Sequence, residues 1–381
     1  MKEIYFDNAA TTRPDPKVVA EMGVYLNERW GNPSSLHYKG EEAKRGLDEA
    51  RQEIASSINC GFKEIIFTGS GTEANNFAIK GLFFANYPAK DHIITTKIEH
   101  DCVLNTCKWL ERHGAKITYL NVNREGFVDL QELEKVITPK TIVVSVIHGN
   151  NEIGTVQDIA KIGEICHKKG TLLHTDACQS YTKVPINVKK MNIDLMTINA
   201  HKIHGPKGVG ALFIKSGIKV EPLLHGGGQE MKMRSSTENV AGIMGFAKAV
   251  KIASNGDVKD MMKLRDYFIS EILKVPNTKL NGSSGERRLC NNINICFHNI
   301  EGEAIGSFLN SKGIFTSTGS ACSSKSLDPS HVLMALGLTP LEANSSVRLS
   351  ISKFTTREEV DYVISELKKT VEKLRKMSPF A

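Results

Sequence analysis

From about residue 60 the chain alternates between two hydrophobic periods, and that alternation restricts its fold more than any other feature. "KEIIFTGS" is a short contiguous apolar run, the pattern of a strand buried on both faces, and the helical "TEANNFAIKGLFFAN" follows it. The pair recurs as "HIITTK" then "CVLNTCKWLERHG", "KITYLNV" then "DLQELEKVI", and "TIVVSVIHGNN" then "DIAKIGEICHKKG". "TLLHTDA", "DLMTINA" and "GVGALFIK" add three further apolar strands. Short β-rich runs between amphipathic helices predict an α/β domain whose sheet is mostly parallel and covered on both faces. After "SNGDVKD" the pattern changes to spaced strands ("NNINICF", "GIFTSTGS", "VRLSIS") among helices, closing on a long helix over 356–376. That predicts a smaller α+β domain, with a boundary near 255–265.

Composition removes other classes. The 381 residues, 40% hydrophobic and 24% charged, are ordinary for a globular protein with a large core. No stretch approaches the ~20 apolar residues of a membrane-spanning helix. "MKEIYFDNAATT" has one lysine before a strand-like run instead of a leader's apolar segment, so a cytoplasmic location is expected. The eight cysteines include no C-x-x-C pair, which argues against a zinc ribbon or a disulfide framework. The net charge of +7 is dispersed and densest on "ELKKTVEKLRKM", the pattern of a solvated helix face rather than a nucleic-acid stripe.

Loops at the strand ends of an open α/β sheet present its ligands, and the polar motifs of this chain fall there. "FTGSGTEANN" runs from strand to helix through Gly71 and Thr72; the free N–H groups of such a helix start cradle anions, although a plain capped turn has the same look. Asp176 and Gln179 end the strand of "LLHTDACQS", where an aspartate either holds a protonated ring nitrogen or caps the next helix. "NAHKIHGPKGVG" sets Lys202 in a tight loop between two strands, where a lysine neutral enough to form an imine, or a surface lysine in a turn, would sit. His201, His204 and the more distant His225 lack the acidic or cysteine companions of a zinc site. His100 in "IEHDCVL" suits ring stacking or proton transfer as well as a structural role. Asn150 and Asn151 in "HGNNEIG", and Arg234, Ser236 and Thr237 in "HGGGQEMKMRSST", are polar loop residues suited to anions. Cys322 stands alone among small residues in "STGSACSSKSLDPS".

Separately each motif is weak, but their order is specific. "YFDNAATT", "GNPSSLH", "TEANN", "IEH", "NNEIG", "DACQS", "HKIHGPKG", "HGGGQE", "STGSACSSKSLDPSHVL" and "SSVRLS" occur in the sequence of the NifS/IscS-type cysteine desulfurases. The chain resembles that group of the class V aminotransferase family, within the fold-type I pyridoxal-phosphate enzymes, over nearly its whole length. The resemblance implies a fold-type I architecture with a mostly parallel seven-stranded sheet. It places a large cofactor-binding domain over 15–260 and a small domain, carrying the cysteine loop, over 1–14 and 261–381.

The residue roles that follow are those the resemblance implies. Lys202 matches the lysine that forms the imine with pyridoxal 5'-phosphate, Asp176 the partner of the ring nitrogen, and Gln179 the contact to the phenolic oxygen. His100 matches the histidine stacked on the ring, and Asn151 an asparagine near cofactor and substrate. Gly71, Thr72, Asn199 and His201 match phosphate-side positions, while Thr237 matches a phosphate ligand reached from the neighbouring subunit of a homodimer. Arg348 matches the arginine for the substrate's α-carboxylate, a natural use of a bidentate guanidinium. Cys322 matches the thiol that takes sulfur from L-cysteine as a persulfide and leaves L-alanine. Its loop resembles that of the group that hands sulfur to iron–sulfur scaffolds. Selenocysteine lyase activity, or class V transamination without persulfide chemistry, are the alternatives. The chain departs from the family at Asn199, where Ser or Thr is usual, and at Ser236, where glycine is usual.

Overall fold

The computed structural model describes residues 3–317 and 328–377. Seven strands form the central sheet, in the spatial order Ile65–Thr68, Gly210–Ile214, Leu195–Asn199, Leu172–Asp176, Thr141–Ser145, His92–Thr96 and Lys116–Leu120. The last five are parallel to one another, and Gly210–Ile214 runs antiparallel to both of its neighbours. Local connectivity explains the reversal. A parallel return needs a crossover of a dozen or more residues, and the chain between Asn199 and Gly210 is only a tight turn. Lys202 lies in that turn.

Adjacent residues of each strand point to opposite faces, and both faces are buried. Phe67, Ile94, Val144 and Met196 join one apolar core with the helices Pro16–Asn27, Tyr38–Ser57, Ile159–Lys168 and Val240–Lys251. Ile66, Ile93, Val143 and Leu195 join another, beneath the helices Gly71–Asn86 and Asp101–Glu111. This double coverage is why the strands read as continuous apolar runs.

A third core forms around the antiparallel strands Thr278–Leu280, Asn292–Phe297 and Ser346–Ser350, with the helices Asn255–Ile272, Gly302–Asn310 and Arg357–Met377. Ile4 and Phe6 pack into it, and Ile4–Tyr5 pairs in parallel with Ile314–Phe315. Arg288 ties the loops and strands of this layer together. Its guanidinium is buried and donates to the carbonyls of Asn281, Ser283 and Asn292 at 2.7–2.9 Å. Asn292 and Asn294 in turn each donate to the carbonyl of Glu152 at 3.0 Å and link the layer to a loop of the large sheet.

Two histidines inside the sheet layer give stability a pH dependence. His174 contacts Ser145 Oγ at 2.9 Å and Thr197 Oγ1 at 3.1 Å, and His148 contacts Ser180 Oγ at 2.9 Å. Burial lowers both rings from 6.5 to about 4. As pH falls below about 6.5, the unfolded chain takes up protons that the folded chain refuses. The stabilisation is therefore complete above that pH and gone below about 4, on the order of 3 kcal/mol for each ring. The urea midpoint is expected to fall between about pH 6.5 and about pH 4.5. The fall should be shallower in His174→Gln; an identical slope would remove His174 from the account.

Candidate active site

The C-terminal ends of the parallel strands converge on a cavity of about 300 Å³, the size of a small cofactor site. Thr68 leads into Ser70, Gly71 and Thr72; Thr96 leads into Glu99 and His100; Ser145 leads into Asn151. Asp176 and Asn199 are themselves the last residues of their strands and line the same space. Gln179, His201, Lys202 and Arg348 complete it, and Ala9 and Ala10 of "DNAATT" form a further wall. Motifs spread from residue 9 to residue 348 thus meet at one place.

At one side, Ser70 caps the helix Gly71–Asn86 by accepting from the Glu73 N–H at 3.1 Å. The cap leaves the first N–H groups of that helix facing the cavity with its positive end. A Cβ on Gly71 would meet Cys178 Sγ at 2.7 Å and Asn199 Nδ2 at 3.3 Å. Only glycine keeps this cradle open.

Asp176 is buried, and its oxygens accept from Asn75 Nδ2 at 2.7 Å and the Cys178 N–H at 2.9 Å. No cationic side chain among the described residues is ion-paired with it. A buried carboxylate with neutral donors only is suited to a cationic ring nitrogen. His100 caps the helix Asp101–Glu111, its Nδ1 accepting from the Cys102 N–H at 3.1 Å. A neutral imidazole held this way carries its proton on Nε2.

Lys202 Nζ donates to the carbonyls of Ala9 and Ala10 at 2.5 and 2.6 Å. Burial, then the charge of Arg348, lowers its pKa to about 8. Gln179 Nε2 donates to the same Ala9 carbonyl at 2.8 Å, and His201 Nδ1 lies 3.2 Å from Thr11 Oγ1. Arg348 donates through Nη2 to Asp7 Oδ1 at 2.8 Å and through Nη1 to the Asn151 carbonyl at 3.2 Å.

The site fits pyridoxal phosphate on its own chemistry. It offers an anion cradle at Gly71 and Thr72, an unpaired buried carboxylate at Asp176 and an amine of lowered basicity at Lys202. Asn75 Oδ1, Glu99 Oε2, Asn199 Oδ1 and Arg348 Nε are buried on its walls without protein partners. Buried polar atoms are rarely left so, and their concentration here marks a site made for a polar ligand.

Other predicted residues lie elsewhere. Thr237 is exposed and away from the cavity, in a shallow surface depression with His225 and Ser236. Arg234 is ion-paired with Glu73 at 2.8 Å. Ser236 has φ 130°, backbone that favours glycine, so its departure from the family pattern carries local strain. Cys322 lies outside the described residues. Asn150 serves the turn, with Oδ1 accepting from the Glu152 and Ile153 N–H groups at 2.8 and 3.0 Å.

Sequence reasoning assigned no role to Asn75, Glu99, Cys102 or His331, all of which line the cavity. Glu99 is fully buried, with Oε1 accepting from Thr96 Oγ1 at 2.7 Å and the Ile147 N–H at 2.8 Å. Burial raises its carboxyl to about 8. The only signal for Asn75 and Glu99 was their presence inside "TEANN" and "IEH".

An α/β sheet with a lysine, an aspartate and an arginine gathered at its strand ends fits a fold-type I pyridoxal-phosphate architecture. The aminotransferase class-V family profile matches residues 4–363, and the chain belongs to that family, within its NifS/IscS-type cysteine desulfurases. It is 48% identical over 383 residues to Cysteine desulfurase IscS of Clostridium botulinum (strain Hall), covering 99% of this chain and 96% of the relative. A solved "NIFS-LIKE PROTEIN" superimposes with a TM-score of 0.92 at 38% identity, covering 98% of this chain and 100% of the other. "SspA in complex with cysteine" superimposes with a TM-score of 0.84 at 36% identity, covering 93% and 100%.

Proposed function

We propose that this chain is a pyridoxal-phosphate-dependent cysteine desulfurase that converts L-cysteine to L-alanine and retains the sulfur as a persulfide on Cys322. The observation that carries the reading is the meeting of Lys202, Asp176 and Arg348 around one cavity. When bound, the cofactor supplies an electron sink for bonds at the substrate's α-carbon. The protein's residues do the rest. Lys202 would hold the cofactor through its aldehyde carbon, and its amine of lowered basicity is placed to move the substrate's α-proton. Asp176 would pair with the ring nitrogen and favour its protonated form, and His100 would lie against the ring with its Nε2–H available. The N–H groups at Gly71 and Thr72, with Asn199 and His201, would hold the phosphate. Gln179 would address the phenolic oxygen, and Arg348 with Asn151 would hold the substrate carboxylate. The Cys322 thiolate attacks the substrate sulfur, so an S–S bond forms as the C–S bond breaks, and its electron pair returns to carbon for protonation to alanine.

A homodimer accounts for Thr237, which this chain leaves exposed and which would complete a partner's phosphate site. Leu26, Trp30, Leu36 and Tyr38 form an exposed apolar stretch suited to such contact. The separate apolar cores support a large domain over 15–260 and a small one from 1–14 and 261–381. The sulfur acceptor is a partner such as an iron–sulfur scaffold, and the location is cytoplasmic. No helix among the described residues is long and apolar enough to cross a membrane, and the described cysteines are all free thiols.

Cys322→Ser tests the proposal. The variant is expected to retain the cofactor's visible absorbance and its change on adding L-cysteine, while releasing no alanine and carrying no persulfide. Sustained alanine and sulfide formation would defeat the persulfide role and leave a desulfurase without it.

A further inference from the structure

The N-terminal segment 6–12 passes behind the cavity and touches the functional groups one after another. Ala9 and Ala10 hold Lys202, Thr11 meets His201, and Asp7 meets Arg348. The last contact is fixed by backbone. Ser350 N–H donates to the Phe6 carbonyl at 2.6 Å, and Asn8 returns two bonds to the Ser350 carbonyl, from N–H at 3.3 Å and Nδ2 at 2.8 Å. Ala9 N–H donates to Ser350 Oγ at 2.8 Å, and Asp7 is the bridge partner of Ser350. Arg348 stands two residues before Ser350 on the same strand, so the pairing of the two segments sets the carboxylate beside the guanidinium.

Arg348 is only 2% exposed, yet it lines the cavity, whereas Asp7 does not. Two of its three guanidinium nitrogens are engaged, Nη2 by Asp7 and Nη1 by the Asn151 carbonyl, while Nε is buried without a partner. A buried guanidinium with no carboxylate would be costly and free to turn towards other acceptors. We propose that Asp7 is a positioning residue that holds Arg348, from outside the cavity, in the orientation that receives the substrate's α-carboxylate. The inference rests on the reading that Arg348 binds that carboxylate. It adds that the receptor is a preorganised pair, so that little reorganisation accompanies substrate binding.

The test uses the holoenzyme with Asp7→Asn, Arg348→Gln and the double variant. Two ligands that differ only by the carboxylate, L-alanine and ethylamine, are titrated by visible absorbance, and KM and kcat are measured for L-cysteine. Asp7→Asn is expected to raise the L-alanine Kd and the L-cysteine KM about tenfold, with kcat within about twofold and ethylamine binding unchanged. The double variant should be no worse than Arg348→Gln, because Asp7 acts through Arg348. Equal penalties on both ligands, an unchanged KM, or additive losses would each overturn the proposal. If Arg348→Gln itself leaves L-alanine binding intact, the carboxylate reading fails and the role of Asp7 falls with it. An effect at Arg348 with silence at Asp7 rejects the positioning role alone. Should Asp7→Asn not fold, Asp7→Glu keeps the charge and moves it by one methylene, with the same split between ligands expected at about threefold.

Discussion

Lys202→Ala is expected to abolish turnover of L-cysteine, by at least about 10³-fold, because covalent anchoring and proton transfer are lost together. The visible absorbance of the bound cofactor should vanish or shift, and borohydride should no longer fix the cofactor to the chain. The turn between Leu195–Asn199 and Gly210–Ile214 gives this lysine its place. The carbonyls of Ala9 and Ala10 hold its amine at the cavity wall, and burial beside Arg348 lowers its pKa to about 8. A neutral amine is the nucleophilic form, so lowered basicity serves imine formation near neutral pH. Among the described residues no other lysine lines the cavity. Lys183 donates to the carbonyls of Gln179 and Lys202 at 2.9 and 3.0 Å and does not line the cavity. Lys202→Arg, which keeps the charge without an imine-forming amine, should be equally inactive. Alanine production by either variant at the parental rate would remove Lys202 from the mechanism.

How much of this was legible beforehand depends on the range of the interactions involved. All seven central strands show in the sequence, six of them because burial on both faces makes them short buried runs, with Ile66, Ile93 and Val143 facing one core and Phe67, Ile94 and Val144 the other; the edge strand Lys116–Leu120 is only part-buried. Their spatial order does not show, since pairing of His92–Thr96 with both Lys116–Leu120 and Thr141–Ser145 is decided by packing rather than local pattern. The antiparallel strand Gly210–Ile214 was implicit in the shortness of the turn before it. At the site, Lys202, Asp176, Gly71 and Arg348 were found through the order of motifs, and their chemistry in isolation was ambiguous. Asp7 and Glu99 escaped because their meaning lies in contacts across 341 and 48 residues of chain. Thr237 marks the opposite limit: its motif is plain in the sequence, while a single chain leaves it exposed.

Asp176→Asn is expected to lower kcat by roughly 10²–10⁴-fold while the fold and much of the cofactor affinity survive. The survival follows from the neighbours. The carbonyl oxygen of the substituted side chain would still accept from the Cys178 N–H, which now meets the carboxylate at 2.9 Å. The new amide would face Asn75 Nδ2, donor against donor, but Asn75 Oδ1 is buried and unpartnered, so rotating the Asn75 amide supplies an acceptor. The pocket therefore adapts to the neutral isostere without a cavity, and what the rotation gives up is the bond from Asn75 Nδ2 to Cys102 Sγ at 3.2 Å. What it loses is the negative charge that favours a protonated ring nitrogen, and with it the electron-withdrawing power on which bond breaking at the α-carbon depends. The thermal midpoint should stay within a few degrees and the visible band should remain, shifted. Asp176→Ala, which leaves Asn75 Nδ2 and the Cys178 N–H without their acceptor, should by contrast lose stability as well, by about 1–3 kcal/mol. If Asp176→Asn turns over L-cysteine at the parental rate, the carboxylate is a packing element of the Asn75–Cys178 network and the ring nitrogen needs no anionic partner in this protein.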